Sequence, residues 1–113
     1  MKIENGRIQT TAKAMVDSGA TRLFTSNKFV KANNLRRLRL RKPISVHNID
    51  GTHNQAGSIE EFVQLAITVD NHKHWVDMLI TDLGGESVIL GLPWLRKLNP
   101  EIDWSKGLLS IKT

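Results

Sequence analysis

The chain has no cysteine among its 113 residues. Disulfide scaffolds and thiolate metal centres are therefore excluded, as is any cysteine nucleophile. A cysteine-free composition fits a reducing compartment, and an intracellular, cytoplasmic location is expected. Tyrosine is missing too, and aromatics amount to 5%. The basic residues thus lack the interleaved stacking platforms that single-stranded nucleic acid uses, and nucleic acid is not expected to be a partner of this domain by itself. No apolar run approaches the roughly 18–20 residues that span a bilayer, and the first residues carry no signal-peptide core, so no membrane partner is expected. Only three prolines interrupt the chain, and it shows neither internal repeat nor low-complexity linker. A single domain over 1–113 is expected.

What is there begins with charge. The net charge is +5. It is concentrated: no acidic residue stands between Ser18 and Ile49, whereas Arg22, Lys28, Lys31, Arg36, Arg37, Arg39, Arg41 and Lys42 all do. Such a stretch reads as a solvated strand-and-loop face, or as one that attracts acidic substrate segments.

The pattern of apolar residues is that of many short strands. Asn5-Gly6 is a hairpin signal after Ile3. Ile8 to Val16 reads as one strand. Ser26 suits the N-cap of a short helix over 27–32, ended by Asn33-Asn34. Leu38 to Arg41 alternates strictly. Segments 44–48 and 58–69 flank a turn signal at Asn48 to Thr52, and Val63, Leu65, Ile67 and Val69 share one face. After a turn at Asp70 to His72, His74 to Ile80 is a further strand. Val88 to Leu90 is short and wholly apolar, as at a buried centre. Pro93 fits the first turn of a second helix reaching residue 97 or 98, with Pro100 beyond it. Leu108 to Lys112 closes the chain as a strand. The expected class is all-β, a small closed barrel or sandwich with one or two short helices.

One tetrapeptide carries chemistry: Asp17-Ser18-Gly19-Ala20, at the end of the strand that closes with Val16 and followed by Thr21. Two carboxyls within hydrogen-bond reach share one proton; the ionised one takes a proton from water and the other polarises a carbonyl. Gly19 permits a tight turn, and the Ser18 hydroxyl is able to bond across to a partner loop. The chain offers one Asp-Ser-Gly. Asp50-Gly51 and Asp82-Leu83-Gly84 lack the hydroxyl residue and the apolar strand before it. Two carboxylates then require two chains, hence a homodimer about a two-fold axis beside Asp17.

The motifs Val16-Asp-Ser-Gly-Ala-Thr21, Phe24, Phe29-Val30, Pro43-Ile44, Asn48-Ile-Asp-Gly-Thr52, Gly57, Thr81-Asp-Leu-Gly84, Val88-Ile-Leu-Gly-Leu-Pro-Trp-Leu95 and Asn99-Pro-Glu-Ile-Asp-Trp104 together resemble the retropepsin family. The resemblance is greatest to the protease domain of Ty3/Gypsy-type retrotransposon polyproteins, and it covers the chain from about Thr11 to its end. It implies a dimeric acid-protease fold and an aspartic endopeptidase that cleaves a Gag-Pol polyprotein, without cofactor, in the cytoplasm or within virus-like particles. Asp17 would be catalytic, with Ser18 and Gly19 shaping the turn. Ala20 and Thr21 would offer backbone groups to the substrate. Ile49, Asp50, Gly51 and Thr52 would form a flap over it. Ile89, Leu90 and Gly91 would pack beneath the catalytic loop. Ile3, Ile8 and residues 108–111 are the interface candidates. Retroviral relatives usually carry an acidic residue soon after the turn and an Arg after Ile-Leu-Gly. Here Thr21-Arg22 and Leu92 stand in those places, so that ion pair is not made. The alternative to an active enzyme is an inactive or domesticated copy serving in dimerisation or peptide binding.

Other residues invite chemistry and are read otherwise. His47, His53, His72 and His74 lack a Cys or Glu nearby to complete a ligand set, so no metal is expected. Trp75, Trp94 and Trp104 have apolar neighbours and are expected in the core or a dimer contact. Ser18 has no histidine in a recognisable relay and is not a nucleophile.

Overall fold

A computed structural model describes residues 1–45 and 58–98, together with the backbone of 101–103 and 108–110. Eight strands form one curled sheet: β1 (Lys2–Asn5), β2 (Ile8–Thr11), β3 (Ala14–Val16), β4 (Phe24–Ser26), β5 (Leu38–Ser45), β6 (Ser58–Val69), β7 (His72–Thr81) and β8 (Val88–Leu90). The path runs β2-β1-β6-β7-β4-β8-β3, with β5 laid beside β6. Helix α1 (Asn27–Ala32) follows β4, and α2 (Leu92–Leu98) follows β8. Strands β9 (Glu101–Asp103) and β10 (Leu108–Ser110) make a separate antiparallel pair. The class is mostly β with two short helices, as the patterning predicts.

β6 is long enough to hold three partners. Along one edge it pairs β5 near Ser58 to Phe62 and β1 at Ala66 to Thr68; along the other it pairs β7 from Phe62 to Val69. The β6–β7 turn has Asp70 and Asn71 at φ of 50° and 65°, the left-handed pair that a tight two-residue hairpin demands. β5 is one strand where two segments are expected. Its register slips between Arg39 and Ile44, a stretch that contains Pro43, which has no N–H for the ladder.

The centre of the sheet is apolar on both faces. Val88 and Leu90 join a large cluster with Ile3, Val63, Leu65, Ile67, Met78, Ile80 and Trp94. Ile89, between them, points to a smaller cluster with Ala20, Phe24, Ile59, Leu79 and Leu83. The two-residue period of a strand thus explains why β8 is apolar without interruption: each face has its own core.

Two expectations need correction. The run 8–16 is two strands, not one. Ala12 N–H donates to Met1 O at 3.0 Å, which ends the β1–β2 hairpin, and β3 then leaves to pair in parallel with β8. Ile3 is not an interface residue: β1 lies between β2 and β6, and Ile3 is 0% exposed. Of the tryptophans expected in the core or a dimer contact, Trp75 is 64% exposed, which leaves it the dimer contact, and Trp104 lies outside the described residues. Trp94, at 2%, is the main anchor of α2.

The chain also repeats a unit that its sequence does not announce. β3, an Asp-x-Gly turn, β4 and α1 are matched by β7, a second Asp-x-Gly turn, β8 and α2. β3 pairs β8 in parallel, β7 pairs β4 in parallel, and β4 meets β8 antiparallel between them. The two units interlock about a local two-fold at the β4–β8 contact.

Candidate active site

Asp17 is delivered by β3, which among the described residues pairs with β8 alone. The pairing Val16 to Leu90 is continued by the Asp17 N–H, which donates to Leu90 O at 3.1 Å. The chain then turns. Gly19 N–H donates to Asp17 Oδ1 at 2.9 Å, and Ala20 N–H donates to Asp17 O at 3.1 Å. One carboxylate oxygen is thereby held against the turn, and the half-buried side chain keeps its other oxygen for chemistry. Ser18 and Gly19 are exposed at the tip, as is Thr21, whereas Ala20 is buried in the smaller cluster.

The Ile89-Leu90-Gly91 segment meets this turn from below. Leu92 N–H donates to Ala20 O at 2.8 Å. A Cβ built on Gly91 would fall 2.2 Å from Arg22 O and 2.7 Å from Ala20 O. Any side chain there would push two backbone carbonyls of the loop, so glycine is required by close approach. Gly91 O also receives the N–H groups of Trp94 and Leu95, which opens α2. One residue therefore links the helix, β8 and the loop after Asp17.

The second Asp-x-Gly turn is built differently. Asp82 is exposed and Leu83 is 4% exposed. Ser87, at the end of that loop, accepts from Ser26 N–H at 2.9 Å and from the hydroxyl of the fully buried Thr25 at 3.0 Å. Gly91 lies beneath the loop as the resemblance implies, whereas Thr25 and Ser87 are supports that sequence reasoning did not single out, since nothing in Phe24-Thr25-Ser26 announces that its Thr is buried.

The floor of the site is the smaller cluster, and Leu40, Ile44 and Phe62 pack at its edge. A cleft of about 280 Å3 opens there, between Arg22 and Leu23 on one side and β5, β6 and β7 on the other. The flap residues Ile49, Asp50, Gly51 and Thr52 lie outside the described residues, as do His47 and His53.

A model of the PEG10/RTL1 protease domain matches residues 13–113 of the chain. The chain belongs to that family. This PEG10/RTL1-type protease domain is also similar in fold to the retroviral protease-like domain of Ddi1 from Leishmania major, at 13% identity and a TM-score of 0.56, covering 98% of this chain and 84% of that one. EIAV protease, solved in complex with the inhibitor HBY-793, is similar at 18% identity and a TM-score of 0.52, covering 85% of this chain and 81% of that one. These likenesses establish a retropepsin-like fold.

Among the described residues no group of three or more His, Cys, Asp or Glu side chains is placed to hold a metal ion, and no helix is long and apolar enough to cross a membrane. His74 instead serves α2: the Trp94 indole N–H donates to His74 Nε2 at 2.8 Å, and the two rings stack at 6.3 Å. Burial holds the imidazole below its ordinary value of 6.5, with the Lys97 charge acting in the same direction.

Proposed function

We propose that this PEG10/RTL1-type domain is an aspartic endopeptidase, active as a homodimer in which each chain contributes Asp17, and that its substrate is a retroelement polyprotein of Ty3/Gypsy type. The observation that carries the reading is the posture of Asp17. A carboxylate stands at a strand end, one oxygen is held by the Gly19 N–H, and the backbone is tied to β8 before it and to Leu92 at the start of α2 after it.

The chemistry follows from pairing two such groups. The proton they share leaves one ionised and one neutral. The ionised carboxylate takes a proton from water as the water oxygen bonds to the scissile carbonyl carbon. The neutral carboxyl donates to the carbonyl oxygen. Collapse of the tetrahedral diol breaks the C–N bond as the carboxyl that took water's proton gives it to the amine nitrogen and the other, now ionised, takes a proton from a diol hydroxyl, which restores the shared-proton pair. Holding each carboxylate in a fixed turn removes the cost of orienting it in the transition state. Ser18 bonds across to the partner turn, while Ala20 and Thr21 offer backbone groups to an extended substrate. That substrate adds as a strand between the floor and a flap formed by Ile49 to Thr52. Ile89, Leu90 and Gly91 support the turn from below.

A cleavage assay on the purified chain, with and without a statine-type mimic of the diol, tests this. Cleavage that the mimic blocks supports the peptidase. A folded dimer that cleaves no peptide contradicts it and leaves a peptide-binding or dimerisation module.

A further inference from the structure

The cleft beside the turn has an unusual lining for its position. Its walls are apolar: Leu23, Leu40, Ile44, Phe62 and Leu79, with Pro93 at the rim. Two charged residues reach it, Arg22 and Asp77, and both are exposed. Arg22 stands five residues after Asp17, and its backbone cannot wander. Its carbonyl lies against Gly91, and the next carbonyl, of Leu23, accepts from Leu79 N–H at 2.9 Å. The Arg22 side chain therefore springs from a fixed point at the mouth of an apolar cleft.

The surrounding charge favours one sign of ligand. Arg39, Arg41 and Lys42 lie on β5, and no acid occurs anywhere between Ser18 and Ile49. Opposite them on β6, Glu61 pairs Arg39 in the ladder and meets Arg37 at 3.3 Å, whereas Asp77 on β7 sits opposite Gln64. Among the described residues Arg22 and Asp77 are the charged side chains that line the cleft, and the acid-free stretch that carries Arg22 and β5 makes the surrounding field positive.

We propose that this cleft is a substrate subsite that selects a glutamate side chain, whose methylenes lie on Leu40, Ile44, Phe62 and Leu79 and whose carboxylate reaches Arg22. The proposal rests on the peptidase reading and names the substrate class it acts on: extended peptides with an acidic residue near the scissile bond. Asp77 tempers the preference from the same rim.

Cleavage of a peptide library, compared between the wild-type chain, Arg22→Glu and Asp77→Asn, tests it. For the wild type, glutamate should exceed glutamine in kcat/KM by roughly two- to fivefold at one position, the scale of an exposed charge pair. Arg22→Glu should turn the preference at that position to lysine, and Asp77→Asn should sharpen the choice of glutamate. A library profile that is the same in Arg22→Glu as in wild type overturns the subsite while leaving the peptidase standing. Anisotropy of fluorescent glutamate, glutamine and lysine peptides is measured in parallel. If nothing is cleaved, yet glutamate peptides bind more tightly and Arg22→Glu reverses the order, the peptidase reading falls and the subsite stands. Neither cleavage nor binding overturns both.

Discussion

The two interlocked units use one frame for opposite ends. In the first, β3 ends on a turn that lifts Asp17 to the surface and ties its carboxylate to Gly19 N–H. In the second, β7 ends on a turn that leaves Asp82 in solvent and drives Leu83 into the smaller core cluster. Both turns then feed a strand and a short helix with buried anchors, Phe29 and Val30 in α1 and Trp94 in α2. α1 opens on Ser26, whose hydroxyl accepts from Phe29 N–H at 2.9 Å, whereas α2 opens on Gly91, chosen for the room it leaves to the first turn. The lesson is a division of labour: the first unit presents a carboxylate at the surface, and the second, through β8 and Gly91, becomes the support on which that turn rests.

The most drastic way to break this comparison is to remove the carboxylates one at a time. Asp17→Asn should abolish cleavage, a loss on the order of 10^3-fold or more, with folding and dimerisation retained. Asp82→Asn should alter turnover little. Equal losses in the two variants, read from cleavage rates beside thermal melts, would mean that the two turns share the chemistry.

The glycines of the two units separate support from turn geometry. Gly91→Ala puts a Cβ where Ala20 O and Arg22 O stand, and should cost about 3 kcal/mol together with most activity. Gly84 has φ +61° but open space around it, so Gly84→Ala should cost only about 1 kcal/mol. Urea unfolding decides, and a Gly91→Ala chain as stable as Gly84→Ala would show that the loop does not rest on Gly91.

Much of this site was legible in the chain, and the reason is local. Asp17-Ser18-Gly19 ends an alternating run, and Val88 to Leu90 is apolar without interruption, as a strand covered on both faces must be. Ser26 as a cap and the left-handed pair Asp70-Asn71 are short-range chemistry, and both helices and β6 fall where their signals place them. What was not legible depends on pairs far apart in sequence. The repeated unit escapes notice because the two turns share only Asp and Gly. The tripeptide before Asp82, Leu79-Ile80-Thr81, ends an apolar strand, contrary to the reading that none precedes it. The break at 12–13 is set by Met1 and β8, not by local propensity. Ile3 looks like any apolar residue near a terminus until β2 and β6 enclose it.

The smallest effect expected concerns the anchor of α2. His74 accepts the Trp94 N–H in its neutral form, and burial lowers its affinity for a proton. Above the ordinary value of 6.5 both folded and unfolded chains hold a neutral ring, and pH has no leverage through it. As pH falls through that value, the unfolded chain binds the proton first, so stability declines on acidification. Urea midpoints at pH 7.5 and 5.5 should show this decline, reduced in His74→Gln, which keeps an acceptor for Trp94. An equal decline in both chains would remove His74 from the account.

The central claim is that one active site draws Asp17 from two chains. Titrating the Asp17→Asn chain into a fixed amount of wild type, after exchange of subunits, tests it most directly. Activity should fall steadily as mixed dimers with a single carboxylate replace wild-type pairs, and it should also fall on dilution as sedimentation shows dissociation. Activity that stays constant as the variant chain accumulates, from a wild-type chain that sediments as a monomer, would contradict it.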